Sequence, residues 1–156
     1  MSAQLQPSPW RLLPMHPAHL PQVLEIERRA YEFPWTEGIF KDCLKTGYSA
    51  WVVTNTLGEV QAYAMMSMAV GEAHVLNLCV DPNGQRQGLG RHLLQHLILL
   101  ARAAHCTQVL LEVRKSNKSA FKLYESSGFL RIGLRKGYYP AMNGREDAVV
   151  LSLELV

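Results

Sequence analysis

The chain has 156 residues, 48% of them apolar, with sixteen basic against thirteen acidic side chains and a net charge of +3. That length supports one domain with a substantial core, and the apolar content excludes disorder as the overall state. The charge is too mild for a protein living on nucleic acid, though it suits a local site for an anionic ligand.

Residues 1–9, with two prolines and no periodicity, read as a flexible tail ahead of one domain over 10–156. Residues 10–15 predict a short first strand. Leu20, Val23, Leu24, Ile26 and Ala30 recur at helical spacing over 18–31, and Pro34 stops that helix. Thr36 is a good N-cap for a second helix to about Lys45, which Gly47 ends. The period then changes. Strands are expected at 50–54, 60–70 and 74–80, with turns at 55–58 and 71–72, forming an antiparallel meander. After the break at 81–84, the longest helix covers 88–104, with Leu89, Leu93, Leu94, Leu97, Leu100, Ala101 and Ala104 on its buried side. A strand at 109–113, a helix at 117–126 closed by Gly128, and strands at 129–135 and 148–155 complete the chain.

The sum is a mixed α/β fold in which a meander leads into a β-α-β segment. Such a segment implies a right-handed parallel crossover, with ligands near the carboxyl ends of the strands. The three cysteines, Cys43, Cys79 and Cys106, have no CxxC or metal-ligand spacing. They read as reduced thiols of a cytoplasmic protein. The N-terminus has no signal-peptide pattern, and the longest strongly apolar stretch, 97–101, is far short of the ~20 residues that span a bilayer.

Gln85-Arg86-Gln87-Gly88-Leu89-Gly90 joins a strand to the longest helix. Gly88 and Gly90 let the backbone approach a ligand, the free N–H groups of a first helical turn attract pyrophosphate, and Arg86 and Arg91 add charge. A tight turn with a packed glycine is an equally ordinary reading of two glycines. Neither GxxxxGK[ST] nor a GxGxxG with a ribose-binding acid is present.

The QxxGxG pattern resembles the acetyl-CoA loop of the GNAT acetyltransferase superfamily. The strand 77–82 before it, Leu111-Glu112-Val113-Arg114 with Ser116-Asn117, and Leu123-Tyr124-Glu125-Ser126-Ser127-Gly128-Phe129 are similar to further parts of that superfamily. Phe33-Pro34-Trp35, Tyr138-Tyr139-Pro140 and Gly144-Arg145-Glu146-Asp147-Ala148 narrow the resemblance to the RimI family of bacterial ribosomal-protein alanine N-acetyltransferases, from about Leu12 to the end. Cys79, where alanine is more usual, and the 141–143 tip depart from the pattern. The resemblance implies the GNAT fold, a central, mostly antiparallel twisted sheet with a parallel β-α-β segment and flanking helices. It also implies acetyl-CoA as cosubstrate. The implied acceptor is the N-terminal alanine of small-subunit ribosomal protein eighteen, attacked directly in a ternary complex.

Glu112 ends an apolar strand, where desolvation is expected to raise its pKa and suit it as a base. Pairing with Arg114 or another cation is the alternative on the residues alone. The resemblance makes Glu112 the general base. Asn117 and Tyr124 lie seven residues apart on one helix face. The resemblance makes Tyr124 the general acid, whose phenol (pKa ~10) lies near a thiol leaving group, and Asn117 a coenzyme A contact. An aromatic at that spacing otherwise reads as core packing. Cofactor contacts are expected from Leu78, Cys79, Val80, Arg86, Gln87, Gly88, Leu89, Gly90 and Arg91, with backbone N–H groups of 78–80 polarising the carbonyl. Cys79 itself reads as a small buried hydrophobe. His92 and His96 have metal-compatible spacing but no third ligand, so a solvated helix face and no metal are expected. His74 and His105 have no evident partners, and Lys115, Lys118 and Lys122 read as a solvated surface, with Lys118 a possible phosphate contact. Phe33, Trp35, Tyr138 and Tyr139 are expected to wall the acceptor, with acids of the 138–147 loop holding its amine or a basic side chain. Neither nucleic acid nor membrane is expected as a partner. Acetylation of lysine side chains or small amines, and cofactor binding without turnover, are the competing functions.

Overall fold

The computed structural model describes residues 9–84 and 88–155. Seven strands and four α-helices follow in the order β1 (Arg11–Pro14), α1 (Leu20–Ala30), α2 (Glu37–Thr46), β2 (Ser49–Thr54), β3 (Val60–Ala69), β4 (Glu72–Val80), α3 (Leu89–Ala103), β5 (Gln108–Arg114), α4 (Lys118–Ser126), β6 (Leu130–Ala141) and β7 (Gly144–Glu154). One sheet takes the order β1-β2-β3-β4-β5-β7-β6, antiparallel except between β4 and β5. This is the GNAT arrangement expected from the sequence. Among the described residues no helix is long and apolar enough to cross a membrane.

The helix ends follow local chemistry. Thr36 caps α2 by accepting from the Ile39 N–H at 3.3 Å, and Gly47 ends it at φ 85°, a left-handed conformation that glycine adopts without strain. Asn117 lies just outside α4 as its N-cap, accepting from the Ala120 N–H at 3.2 Å.

The period-2 alternation of β3 divides the core between two sheet faces. Ala62, Ala64 and Met66 join α3 and α4 residues Leu93, Leu97 and Phe121 on one face. Tyr63 and Met65 join Val23, Ile26 and Phe40 of α1 and α2 on the other. Of the expected buried side of α3, Leu89, Leu93, Leu94, Leu97 and Ala101 are buried, whereas Leu100 is only partly so and Ala104, past the helix end, is exposed.

Two departures shape the rest. The segment 138–147 is no loop. β6 and β7 extend through it as a hairpin, pairing Tyr139 with Glu146, Pro140 with Arg145 and Ala141 with Gly144. The register of β6 on β7 shifts twice, between Arg131 and Gly133 and between Arg135 and Tyr139, which breaks the even alternation by which a strand is read. The second departure is the break between β4 and β5, whose pairing stops after Glu72↔Gln108, Ala73↔Val109 and His74↔Leu110. Immediately beyond, the register on β3 jumps from Val75 to Asn77, so Leu76 is a bulge. A bulge bends its strand. β4 then continues on β3 to Val80 while β5 continues on β7 to Arg114, and the sheet opens between them.

Leu97 of α3 is fully buried in the core that holds this opening from one side. Leu97→Ala is expected to lower the unfolding free energy by about 2–5 kcal/mol through lost burial and a residual cavity, measurable by urea denaturation.

Candidate active site

Two clefts occupy the opening. One, of about 330 Å³, is lined by Glu27, Phe33, Trp35, Glu112, Arg114 and Tyr139 among others. The second, of about 450 Å³, is lined by Leu78, Cys79, Val80, residues 88–91 and Lys122 among others. Tyr31, Leu78, Asn117, Ala120 and Tyr124 line both, so the two are arms of one passage through the split sheet.

The larger arm has the features of a phosphate site. Gly88 has φ 74° at the N-cap of α3, a left-handed conformation that glycine adopts without strain, and the first turn of a helix carries N–H groups suited to an anion. Gly90 has a different reason for being glycine, since a Cβ there would lie 3.4 Å from both Leu123 and Val80. A Cβ there would only touch side-chain ends of α4 and β4, and Gly90 has no left-handed φ, so close packing favours a small residue at this point. Arg91 is held at the rim by Ser126 Oγ at 2.7 Å and Ser127 Oγ at 3.3 Å. Lys122, and not Lys118, lines this arm. Gln85, Arg86 and Gln87 lie outside the described residues.

β4 supplies the wall between the arms. Beyond His74 its β5-facing edge has no ladder partner, so backbone groups of 75–80 are open to an extended ligand. Tyr31, which sequence reasoning passed over as a helix end, donates its hydroxyl to the Leu78 carbonyl at 3.3 Å. Cys79 is 5% exposed, and burial pushes its thiol up to about 11, which makes it a poor nucleophile.

Tyr124 stands where the arms meet. Its ring packs edge-on against Phe129, with centroids 5.6 Å apart. Burial, with smaller contributions from Tyr139 and Cys79, raises its pKa well beyond an ordinary phenol, so the expected match to a free thiol does not hold. Asn117 lines both arms, and its side-chain oxygen is committed to capping α4.

Glu112 lies in the smaller arm with its side chain 10% exposed. Its pKa is lowered, against the expectation of a raised value. The hydrogen bond from His74 is the main cause, and it outweighs desolvation, with the charge of Arg135 adding to it. His74 Nε2 is 2.6 Å from Glu112 Oε2, and Arg135 is 3.6 Å from Oε1. Arg114 pairs instead with Glu146 at 3.2 Å. Histidine 74 thus has the partner that the sequence did not reveal.

Glu27 was also missed. It is 1% exposed, yet lines the smaller arm. It accepts from Tyr63 Oη at 2.7 Å, Asn77 Nδ2 at 3.0 Å and the Trp35 N–H at 2.9 Å. Leu20, Val23, Leu24 and Glu27 stand at i, i+3, i+4 and i+7, and a carboxylate on an apolar stripe was the available signal. Phe33 and Trp35 reach the cleft beside it, with the Arg114 guanidinium over the rings of Phe33 and Tyr139 at 5.6 and 4.5 Å. Tyr139 faces inward and donates to the Glu112 carbonyl at 3.2 Å. Tyr138, its neighbour on an extended strand, turns outward beneath Arg135 and does not line the cleft. The hairpin acids are occupied in holding the hairpin. Glu146 binds Arg114 and the Ser116 N–H, and Asp147 accepts from the Gly137 N–H. The acids that line the cleft are Glu27 and Glu112.

His96 departs from the solvated face of α3 that Arg91, His92, Gln95 and Arg102, all exposed, do form. Its Nε2 is buried without a hydrogen-bond partner, and its ring lies edge-on against Trp51, with centroids 4.3 Å apart. Among the described residues no cluster of three or more His, Cys, Asp or Glu is placed to hold a metal.

Residues 20–129 match the Acetyltransferase (GNAT) family. The chain is 42% identical over 136 residues to the [ribosomal protein bS18]-alanine N-acetyltransferase of Escherichia coli K12, covering 87% of this chain and 91% of that protein. It is 38% identical over 135 residues to the Haemophilus ducreyi protein of the same name, covering 86% and 92%. The crystal structure of the ribosomal-protein-S18-alanine N-acetyltransferase from Escherichia coli superimposes with a TM-score of 0.86 at 39% identity, covering 93% of each chain.

Replacing Glu27 by Gln keeps its size but sets an amide NH2 against buried donors. Glu27→Gln is expected to cost about 2–3 kcal/mol of stability, measurable as a lowered urea midpoint.

Proposed function

The chain belongs to the GNAT acetyltransferase family, and from that premise we propose that it acetylates the α-amine of a protein N-terminus, specifically the N-terminal alanine of ribosomal protein bS18. The observation that carries the reading is the passage with two arms that meet at Tyr124. One arm suits a pyrophosphate-bearing cofactor and the other an amine beside a carboxylate. The whole of residues 10–156 acts as one catalytic domain, in the cytoplasm.

When bound, acetyl-CoA supplies an acyl group already activated as a thioester. Arg86, Gln87, Gly88, Leu89, Gly90 and Arg91 hold its pyrophosphate at the start of α3. Leu78, Cys79 and Val80 offer the free edge of β4 to its extended arm, and their N–H groups polarise the acyl carbonyl. Asn117 and Lys122 bound the same arm.

Phe33, Trp35 and Tyr139 wall the acceptor so that its amine reaches the carbonyl directly, in a ternary complex. Tyr138, turned outward, is left to contact the peptide beyond the cleft. Glu112 takes the amine's proton on a carboxylate oxygen. Its depressed pKa makes it a weak base toward a free ammonium. The nitrogen becomes strongly acidic once it forms its new bond to the acyl carbon, however, and a weak base then suffices. Tyr124 donates its phenolic proton to the departing sulfur. The burial that raises this phenol raises a thiol in the same place, so the two stay matched inside the passage.

Glu112→Gln and Tyr124→Phe are each expected to lower kcat by about 10²–10⁴-fold while the Kd for acetyl-CoA stays within about threefold. Unchanged rates would remove the roles assigned to these two side chains. The acceptor is tested separately, by comparing an alanine-starting ribosomal peptide with the same peptide blocked at its α-amine. Acetylation is expected only of the free N-terminus, and equal turnover of the blocked peptide would move the activity to lysine side chains.

A further inference from the structure

His74 and Glu112 lie 38 residues apart in sequence. The last rung of the β4–β5 ladder, His74↔Leu110, brings them side by side at the point where the strands separate. The contact is short, at 2.6 Å from Nε2 to Oε2. Exposure divides the pair unevenly, with the His74 side chain 34% exposed and that of Glu112 10%. Solvent protons therefore reach the imidazole while the carboxylate faces the cleft.

We propose that His74 is the positioning residue for Glu112: its Nε2–H holds Oε2 and turns the carboxylate into the cleft. This rests on the reading of Glu112 as the base. A hydrogen bond to one oxygen fixes the rotation of the carboxylate and leaves the other oxygen directed at the cleft.

The neighbouring groups are engaged elsewhere. Arg135 on β6 reaches the other oxygen, Oε1, at 3.6 Å, and Arg114, two residues along β5, pairs with Glu146. Tyr139, with its hydroxyl on the Glu112 carbonyl, is pushed up to about 12 by burial and stays neutral. The strand partners of His74, Ser67 on β3 and Leu110 on β5, carry no charge. Glu72, two residues back along β4, is hydrogen-bonded to Gln108 at 3.1 Å.

The test uses the full chain, saturating acetyl-CoA and an alanine-starting peptide, with kcat and KM measured at one alkaline pH. His74→Gln replaces the ring by an amide that can still donate to Oε2, and it is expected to keep kcat within about threefold. His74→Ala removes the hydrogen bond, and kcat is expected to fall roughly tenfold with the KM for acetyl-CoA unchanged. A native kcat in His74→Ala, or a His74→Gln no faster than His74→Ala, overturns the proposal. Glu112→Gln run alongside separates the two readings. If it keeps native kcat, the base assignment fails and this inference falls with it. If it is inactive while both His74 variants match the native enzyme in rate, the inference about His74 alone falls.

Discussion

The separation of β4 from β5 is the constraint on which the rest of the structure depends. Three paired residues hold the strands parallel, and the bulge at Leu76 then bends β4 away. Closing the ladder would satisfy more backbone groups, but it would leave no passage. The opening is sustained by what each strand keeps on its other side, β3 against β4 and β7 against β5. Each half of the sheet is thus a paired unit with one free edge facing the gap. Helices α3 and α4 approach that gap from one face, in contact close enough that a Cβ on Gly90 would already touch Leu123 and Val80.

A second device fixes the opposite face. Glu27 draws a hydroxyl from β3, an amide from β4 and a backbone N–H from the segment between α1 and α2 onto one buried carboxylate. A buried charge is tolerated when hydrogen bonds replace its hydration. These three bonds tie Trp35, on the wall of the smaller arm, to the same strand whose far end opens toward the larger arm. Arg114 makes the corresponding tie from the other half-sheet, with its guanidinium over both Phe33 and Tyr139 and its hydrogen bond to Glu146. The smaller arm is therefore clasped from both halves of a sheet that is open between them.

The order and type of every helix and strand could be read from hydrophobic period and caps, because those are local. Thr36 and Gly47 each act within four residues of themselves, and the sequence shows that much, whereas Asn117, read as the start of its helix, proves to be its cap. The β6–β7 hairpin escaped because glycines at 137 and 144, Pro140 and two register shifts disguise a strand as a loop. Residue types in the cleft were legible where a motif marked them. Their electrostatics were not. The state of Glu112 is set by His74 and Arg135, which reach it only through strand pairing, so a rule based on burial alone gave the wrong sign. Glu27 had a local signature, a carboxylate on an apolar helical stripe, but its three partners come from distant parts of the chain.

Two carboxylates face the acceptor cleft, and their bonding separates their uses. Both oxygens of Glu27 are occupied by short bonds from groups that are themselves fixed, and moving a proton there would break the ties that shape the cleft. Glu112 is held firmly at Oε2 alone, while Oε1 faces a longer contact to Arg135, whose side chain is 54% exposed and screened by water. One oxygen anchors the group and the other is left with the longer contact. On the function proposed above, a carboxylate that must exchange a proton needs one oxygen free, whereas one meant only for structure gains from occupying both. That asymmetry, and not a raised pKa, is what supports the proposal of Glu112 rather than Glu27 as the proton-transfer group.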